Sequence, residues 1–170
     1  KDDHSCRVLA ASPNQNMTSL PAQGASPPLE GRHLVLYDGV CGLCNRLLQF
    51  LFWQDRRHGF SFEWLQSAAG RAMVAQWGGN PDELSSFYVV ADFRTPQARA
   101  FTRSDAALFV AGKLPWPWKG VRAGVIVPKR IRDLVYNAIA RSRYRIFGRY
   151  DQCMVPGPEL KRRFIDQEVR

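Results

Sequence analysis

His33-Leu34-Val35-Leu36-Tyr37-Asp38-Gly39-Val40-Cys41-Gly42-Leu43-Cys44 is the stretch that decides the fold. Its first five residues are a short apolar run of the length of a buried strand. Asp38-Gly39 is a turn pair. From Cys41 the pattern is helical to about His58, with Cys44, Leu47, Leu48, Leu51 and Phe52 recurring at i, i+3, i+4, i+7 and i+8. A Cys-x-x-Cys between strand and helix places its first sulfur at a helix N-terminus, where unpaired N–H groups and the helix dipole stabilise a thiolate. Cys41 is therefore expected to be the exposed, low-pKa sulfur that attacks a substrate disulfide. Cys44, one turn on in the apolar stripe, is expected to be buried and to resolve the mixed disulfide. Gly42-Leu43 between them holds no His or Lys, which points to a reductant or mild exchanger.

Working outward, Phe60–Trp64 alternates as a second strand, and Ser67–Trp77 is a helix closed by Gly78-Gly79-Asn80. Ser86–Ala91 and Gln97–Thr102 flank an Asp92–Pro96 turn as a hairpin. Ser104 is expected to cap a helix ending near Gly112, with Asp105 at the favourable end of its dipole. The order β-α-β-α-β-β-α predicts an α/β, thioredoxin-like core over residues 33–113, with a mixed four-stranded sheet. Residues 114–170 are expected to form a basic helical C-terminal extension packed on the core. It opens with the aromatic linker Leu114-Pro115-Trp116-Pro117-Trp118. A helix follows from Pro128 to about Arg141, with Ile131, Leu134, Val135, Ala138 and Ile139 as its buried stripe, and a short helix starts at Pro158-Glu159. Residues 1–32 lack periodicity and read as a disordered tail. Translation starting at Met17 would leave Cys6 outside any native site.

The chain has 170 residues, 45% of them apolar, and four cysteines. It is too long for so few cysteines to form its framework, so a hydrophobic core is required. No apolar run approaches the roughly 18 residues that span a bilayer, and the N-terminus lacks a secretory pattern, so a cytoplasmic location is expected. The net charge of +9 is concentrated between Lys113 and Tyr150, where ten Lys or Arg face one acid, Asp133. Such a block fits nucleic acid or an anionic membrane, with Trp116 and Trp118 at the interface; a solvated basic face is the commoner reading.

A zinc site would need a second ligand pair, which Cys153, His33 and His58 do not form, and Asn45 after Cys44 excludes haem attachment. No cofactor is implied. Asp38 has two readings: a proton partner for Cys44, or a turn carboxylate bonded to backbone N–H groups. Cys153 is either a third thiol near the pair or a packed cysteine. Thioredoxins place a cis-proline directly before the third strand; here Ser85 holds that place and the nearest proline is Pro81. Arg103-Ser104-Asp105 is a substitute wall for the site, or simple N-capping.

Tyr37-Asp38-Gly39-Val40-Cys41-Gly42-Leu43-Cys44-Asn45 resembles the signature of the DCC family of predicted thiol–disulfide oxidoreductases. The resemblance spans about residues 33–166 and includes Arg103-Ser104-Asp105-Ala106-Ala107 and the tail from Tyr144 to Cys153. It implies a thioredoxin-like fold with Asp38, Cys41 and Cys44 as the site. The expected activity is reversible thiol–disulfide exchange, with Ser104, Asp105 and Cys153 as accessory candidates. Its partners are a protein or small-molecule thiol or disulfide and an external dithiol reductant. The alternative is a non-catalytic binding module that docks nucleic acid or membrane through the basic C-terminal face.

Overall fold

The computed structural model describes residues 31–82, 87–151 and 157–165. The N-terminal tail up to residue 30, with Cys6 and Met17, lies outside them, as do Ser85, Ser86 and Cys153. Four strands, β1 (His33–Tyr37), β2 (Phe60–Trp64), β3 (Tyr88–Ala91) and β4 (Arg99–Thr102), form one sheet in the order β2-β1-β3-β4. The pair β1/β2 is parallel, with Val35 beside Phe62. The pairs β1/β3 and β3/β4 are antiparallel. This is the mixed sheet of a thioredoxin-like α/β protein, with the strand–helix–strand unit and the hairpin where the residue pattern places them. β4 begins at Arg99 because the Ala98 N–H is held by the Thr95 carbonyl of the preceding turn.

Helices α1 (Gly42–Gln54), α2 (Ala68–Gln76) and α3 (Arg103–Lys113) complete the core. One side of the sheet packs Val35, Tyr37, Phe60, Phe62 and Val89 against Leu48 and Leu51 of α1. The other side packs Leu34, Leu36 and Val90 with Val74 of α2. α1 stops before His58 because the Asp55 carboxylate takes the N–H groups of Gly59 and Phe60, at 3.0 Å each, and turns the chain into β2. Within α1 the stripe is split: Leu48 and Leu51 are buried, but Leu47 is exposed. Asn45 lies inside instead, its amide donating to the Gly39 carbonyl at 2.9 Å. Ser67 caps α2 through the Gly70 N–H. Ser104, expected as a cap, is not one: Thr102 holds the N-cap position of α3, and the Ser104 hydroxyl donates to Asp133.

The extension contains a 3-10 segment (Trp118–Ile126), α4 (Lys129–Phe147) and α5 (Pro158–Lys161). α4 runs six residues past its expected end at Arg141 and stops at Gly148, whose φ of +77° suits a residue without a Cβ. The residues expected to be its buried stripe face the other way: Ile131, Leu134, Val135, Ala138 and Ile139 are all exposed. α4 is held instead by its polar side. Tyr136 accepts the Phe87 N–H at 2.9 Å. Asp133 takes the Ser104 hydroxyl, Arg132 reaches Asp105 at 2.9 Å, and Lys129 pairs with Asp105.

At the C-terminal end, Phe164 and Ile165 are buried against the sheet, with the Phe62 N–H bonded to the Arg163 carbonyl at 2.9 Å. Arg163 is itself buried and pairs with Asp55 at 2.9 Å. Removing one partner of a buried pair strands the other charge. Arg163→Ala is expected to lower the unfolding free energy by about 3 kcal/mol in urea titrations, near the low end for such pairs because Asp55 keeps its two backbone donors.

Candidate active site

The Cys41 to Cys44 turn is built by the end of β1 and the start of α1. Cys41 is the N-cap residue of α1, with extended backbone (φ −85°, ψ 120°), and its sulfur accepts the Cys44 N–H at 3.3 Å. A sulfur in this position does the work of a capping oxygen and lies at the positive end of the helix dipole. The Cys44 thiol also hydrogen-bonds to it. That bond is the largest influence lowering the Cys41 pKa to about 6; burial opposes it, while the Cys44 N–H and the Arg143 charge help. The same sharing pushes the Cys44 pKa far upward, reinforced by burial. One proton is thus held between two sulfurs, with the negative charge on Cys41.

Exposure is the reverse of the sequence expectation. Cys41 is fully buried, whereas Cys44 is partly exposed. The cover comes from the end of α4. The Gly42 N–H donates to the Gly148 carbonyl at 3.2 Å, and the Tyr150 N–H donates to the Val40 carbonyl at 2.8 Å. Cys41 and Arg149 form a β-bridge between them. Gly42 makes this approach possible: a Cβ there would stand 2.1 Å from the Phe147 carbonyl oxygen.

Asp38 lies at the end of β1, 1% exposed. One carboxylate oxygen accepts the Val40 N–H at 3.1 Å and the Gln66 amide at 2.6 Å. The other accepts Arg143 at 2.8 Å and the Tyr144 hydroxyl. These four donors match the four acceptor directions of a carboxylate. The turn reading of Asp38 is thereby met by Val40, and the same group anchors α4. Tyr144 is pushed up to about 12, by burial and by its bond to Asp38, so its hydroxyl stays a donor.

Arg143, Tyr144 and Gln66 were not singled out by residue pattern. Arg143 sits on a helix about a hundred residues from the cysteines, and the visible signal was the resemblance of the adjoining tail from Tyr144. Ser104 and Asp105, the accessory candidates, bond to Asp133, Arg132 and Lys129 of α4 and so join α3 to α4. Cys153 lies outside the described residues.

The fold and the dithiol at the helix mouth define a thioredoxin-like protein with a Cys-x-x-Cys motif. The chain belongs to the DCC1-like thiol-disulfide oxidoreductase family, whose model matches residues 35–149. It is 38% identical over 132 residues to "Uncharacterized protein YuxK" of Bacillus subtilis (strain 168), covering 78% of this chain and 93% of that protein. It is 34% identical over 123 residues to "DCC family protein At1g52590, chloroplastic" of Arabidopsis thaliana, covering 72% of this chain and 69% of that one. No solved structure matches the chain. Among the described residues no helix is long and apolar enough to cross a membrane.

Alkylation of Cys41, resolved by mass spectrometry, is expected to have its midpoint near pH 6, against about 8.5 for an ordinary thiol. Arg143→Gln removes the nearby cation and is expected to raise that midpoint by about one pH unit. In the folded reduced state Cys41 is deprotonated above about pH 6. The unfolded chain keeps both protons up to about 8.5. Stability from this pair is therefore expected to rise with pH across that window and to fall above it, where the unfolded chain loses both protons and folded Cys44 keeps its own.

Proposed function

We propose that the chain exchanges a Cys41–Cys44 dithiol for the disulfide of a substrate, with Cys41 as nucleophile and Cys44 as resolver. The observation that carries this is the pair of bonds from the Cys44 backbone and side chain onto the Cys41 sulfur at the mouth of α1. The family match supports the same chemistry.

The Cys41 thiolate attacks one substrate sulfur, the substrate S–S bond breaks, and the departing thiolate takes a proton from solvent. Formation of the mixed disulfide removes the charge that held the Cys44 proton. Cys44 then loses its proton to solvent and attacks the Cys41 sulfur; the Cys41–substrate S–S bond breaks, and the second substrate thiolate leaves and takes a proton from solvent. The substrate has gained two electrons and the protein holds a disulfide, which an external dithiol reductant returns to the reduced state. A reducing compartment such as the cytoplasm would supply that reductant.

Access requires the Gly148–Tyr150 segment to part from Val40 and Gly42, breaking two backbone hydrogen bonds. Partly exposed Cys44 remains the entry side of the pair. In this scheme Asp38 is a positioning residue. With four donors already on its oxygens, it holds Arg143 beside the thiolate and does not take the Cys44 proton.

Single-cysteine variants test the assignment with insulin as substrate disulfide. Cys41→Ser is expected to abolish turnover and to form no adduct. Cys44→Ser is expected to stop at a mixed disulfide through Cys41, isolable by mass spectrometry and released by dithiothreitol. An adduct formed through Cys44 in Cys41→Ser, with none in Cys44→Ser, would reverse the roles.

A further inference from the structure

The face that α4 turns away from the protein has no counterpart in an ordinary surface helix. Ile131, Leu134, Val135, Ile139 and Ile146 recur at helical spacing and are each 50% exposed or more. The opposite face carries Asp133, Tyr136, Arg143 and Tyr144, and these make the bonds that hold the helix to the core. An amphipathic helix normally buries its aliphatic side and wets its polar side; α4 does the opposite. The exposed aliphatic surface continues back along the chain through Val127, Ile126 and Val125, and Trp116 is also exposed.

Charge indicates what covers this face. Arg130, Arg141, Arg145 and Arg149 are exposed, as are Lys119 and Arg122 on the preceding segment. Asp133, the one acid between Lys113 and Tyr150, is turned inward onto Ser104. A second copy of the chain would bring the same positive surplus to the interface. Nucleic acid would match the arginines but leave the isoleucines, leucine and valines without apolar partners.

We propose that this face docks on an anionic lipid surface. A bilayer interface accepts both halves of it: aliphatic side chains enter the acyl boundary while arginines extend to the headgroup phosphates. An exposed tryptophan suits the same depth. The helix would lie along the surface, with its inward face still holding Arg143 and Tyr144 on Asp38. Of these residues only Arg149 borders the dithiol, through its bridge to Cys41, and the aliphatic face does not, so the proposal stands or falls independently of the redox reading.

Sedimentation of the full chain with vesicles tests it, comparing phosphatidylcholine alone with phosphatidylcholine containing phosphatidylglycerol. Binding is expected only to the anionic vesicles and to weaken at least tenfold as salt rises from about 0.05 to about 0.5 M. The double variants Leu134→Gln/Ile139→Gln and Arg141→Gln/Arg145→Gln should each lose about tenfold in affinity. All four positions are solvent-facing, and an unchanged thermal melt shows that the fold is intact. Absence of binding, or equal binding to neutral vesicles, overturns the proposal. So does a dimer in sedimentation velocity that the leucine–isoleucine variant splits, since a second copy would then cover the face.

Discussion

The Asp38 carboxylate, buried at the end of β1, ties three parts of the molecule to one point. Its bond to the Val40 N–H shapes the turn into α1, its bond to Gln66 reaches the loop after β2, and its bonds to Arg143 and Tyr144 hold α4. A buried carboxylate is costly unless its charge is met, and here a guanidinium and three further donors meet it. The consequence for the site is electrostatic. Asp38 alone would oppose a thiolate on Cys41; Arg143, recruited by Asp38, favours one. The acid of the signature thus contributes by bringing a cation that lies far away in the sequence.

The same attachment explains why the Cys41 sulfur is covered. Once α4 is anchored at Arg143 and Tyr144, its C-terminal end falls on the mouth of α1. There the backbone from Gly148 to Tyr150 bonds to Gly42 and Val40. Cys44 on α1 dominates the lowering of the Cys41 pKa; the docking of α4 adds the Arg143 charge and brings the strap that hides the sulfur. In the proposed exchange this short backbone strap must part, and its two backbone hydrogen bonds are a modest barrier.

Local pattern made the core legible. The strand before Cys41, the α1 periodicity, the hairpin around Asp92–Pro96 and the parallel β1/β2 pair all follow from residues adjacent in sequence. The shared limits lie in long-range contacts. Periodicity told which residues of α4 share a face but not which way that face points. Direction was decided by Tyr136 and Arg143 finding polar partners on the core. The exposure of the two sulfurs was misjudged for a related reason. Spacing places Cys41 at a helix mouth, but only the return of residues 148–150, over a hundred positions later, covers it. Ser104 shows a smaller version of the same effect, since Asp133 takes the hydroxyl that local chemistry assigns to capping.

In the proposed exchange Cys41 and Cys44 act as one reversible two-electron pair. Equilibration of the protein in glutathione redox buffers, quenched with acid and resolved by mass spectrometry, measures this directly. A single transition between dithiol and an intramolecular Cys41–Cys44 disulfide is expected, with a slope of two electrons. Stable glutathione adducts on either cysteine, with no intramolecular disulfide at any ratio, would contradict it.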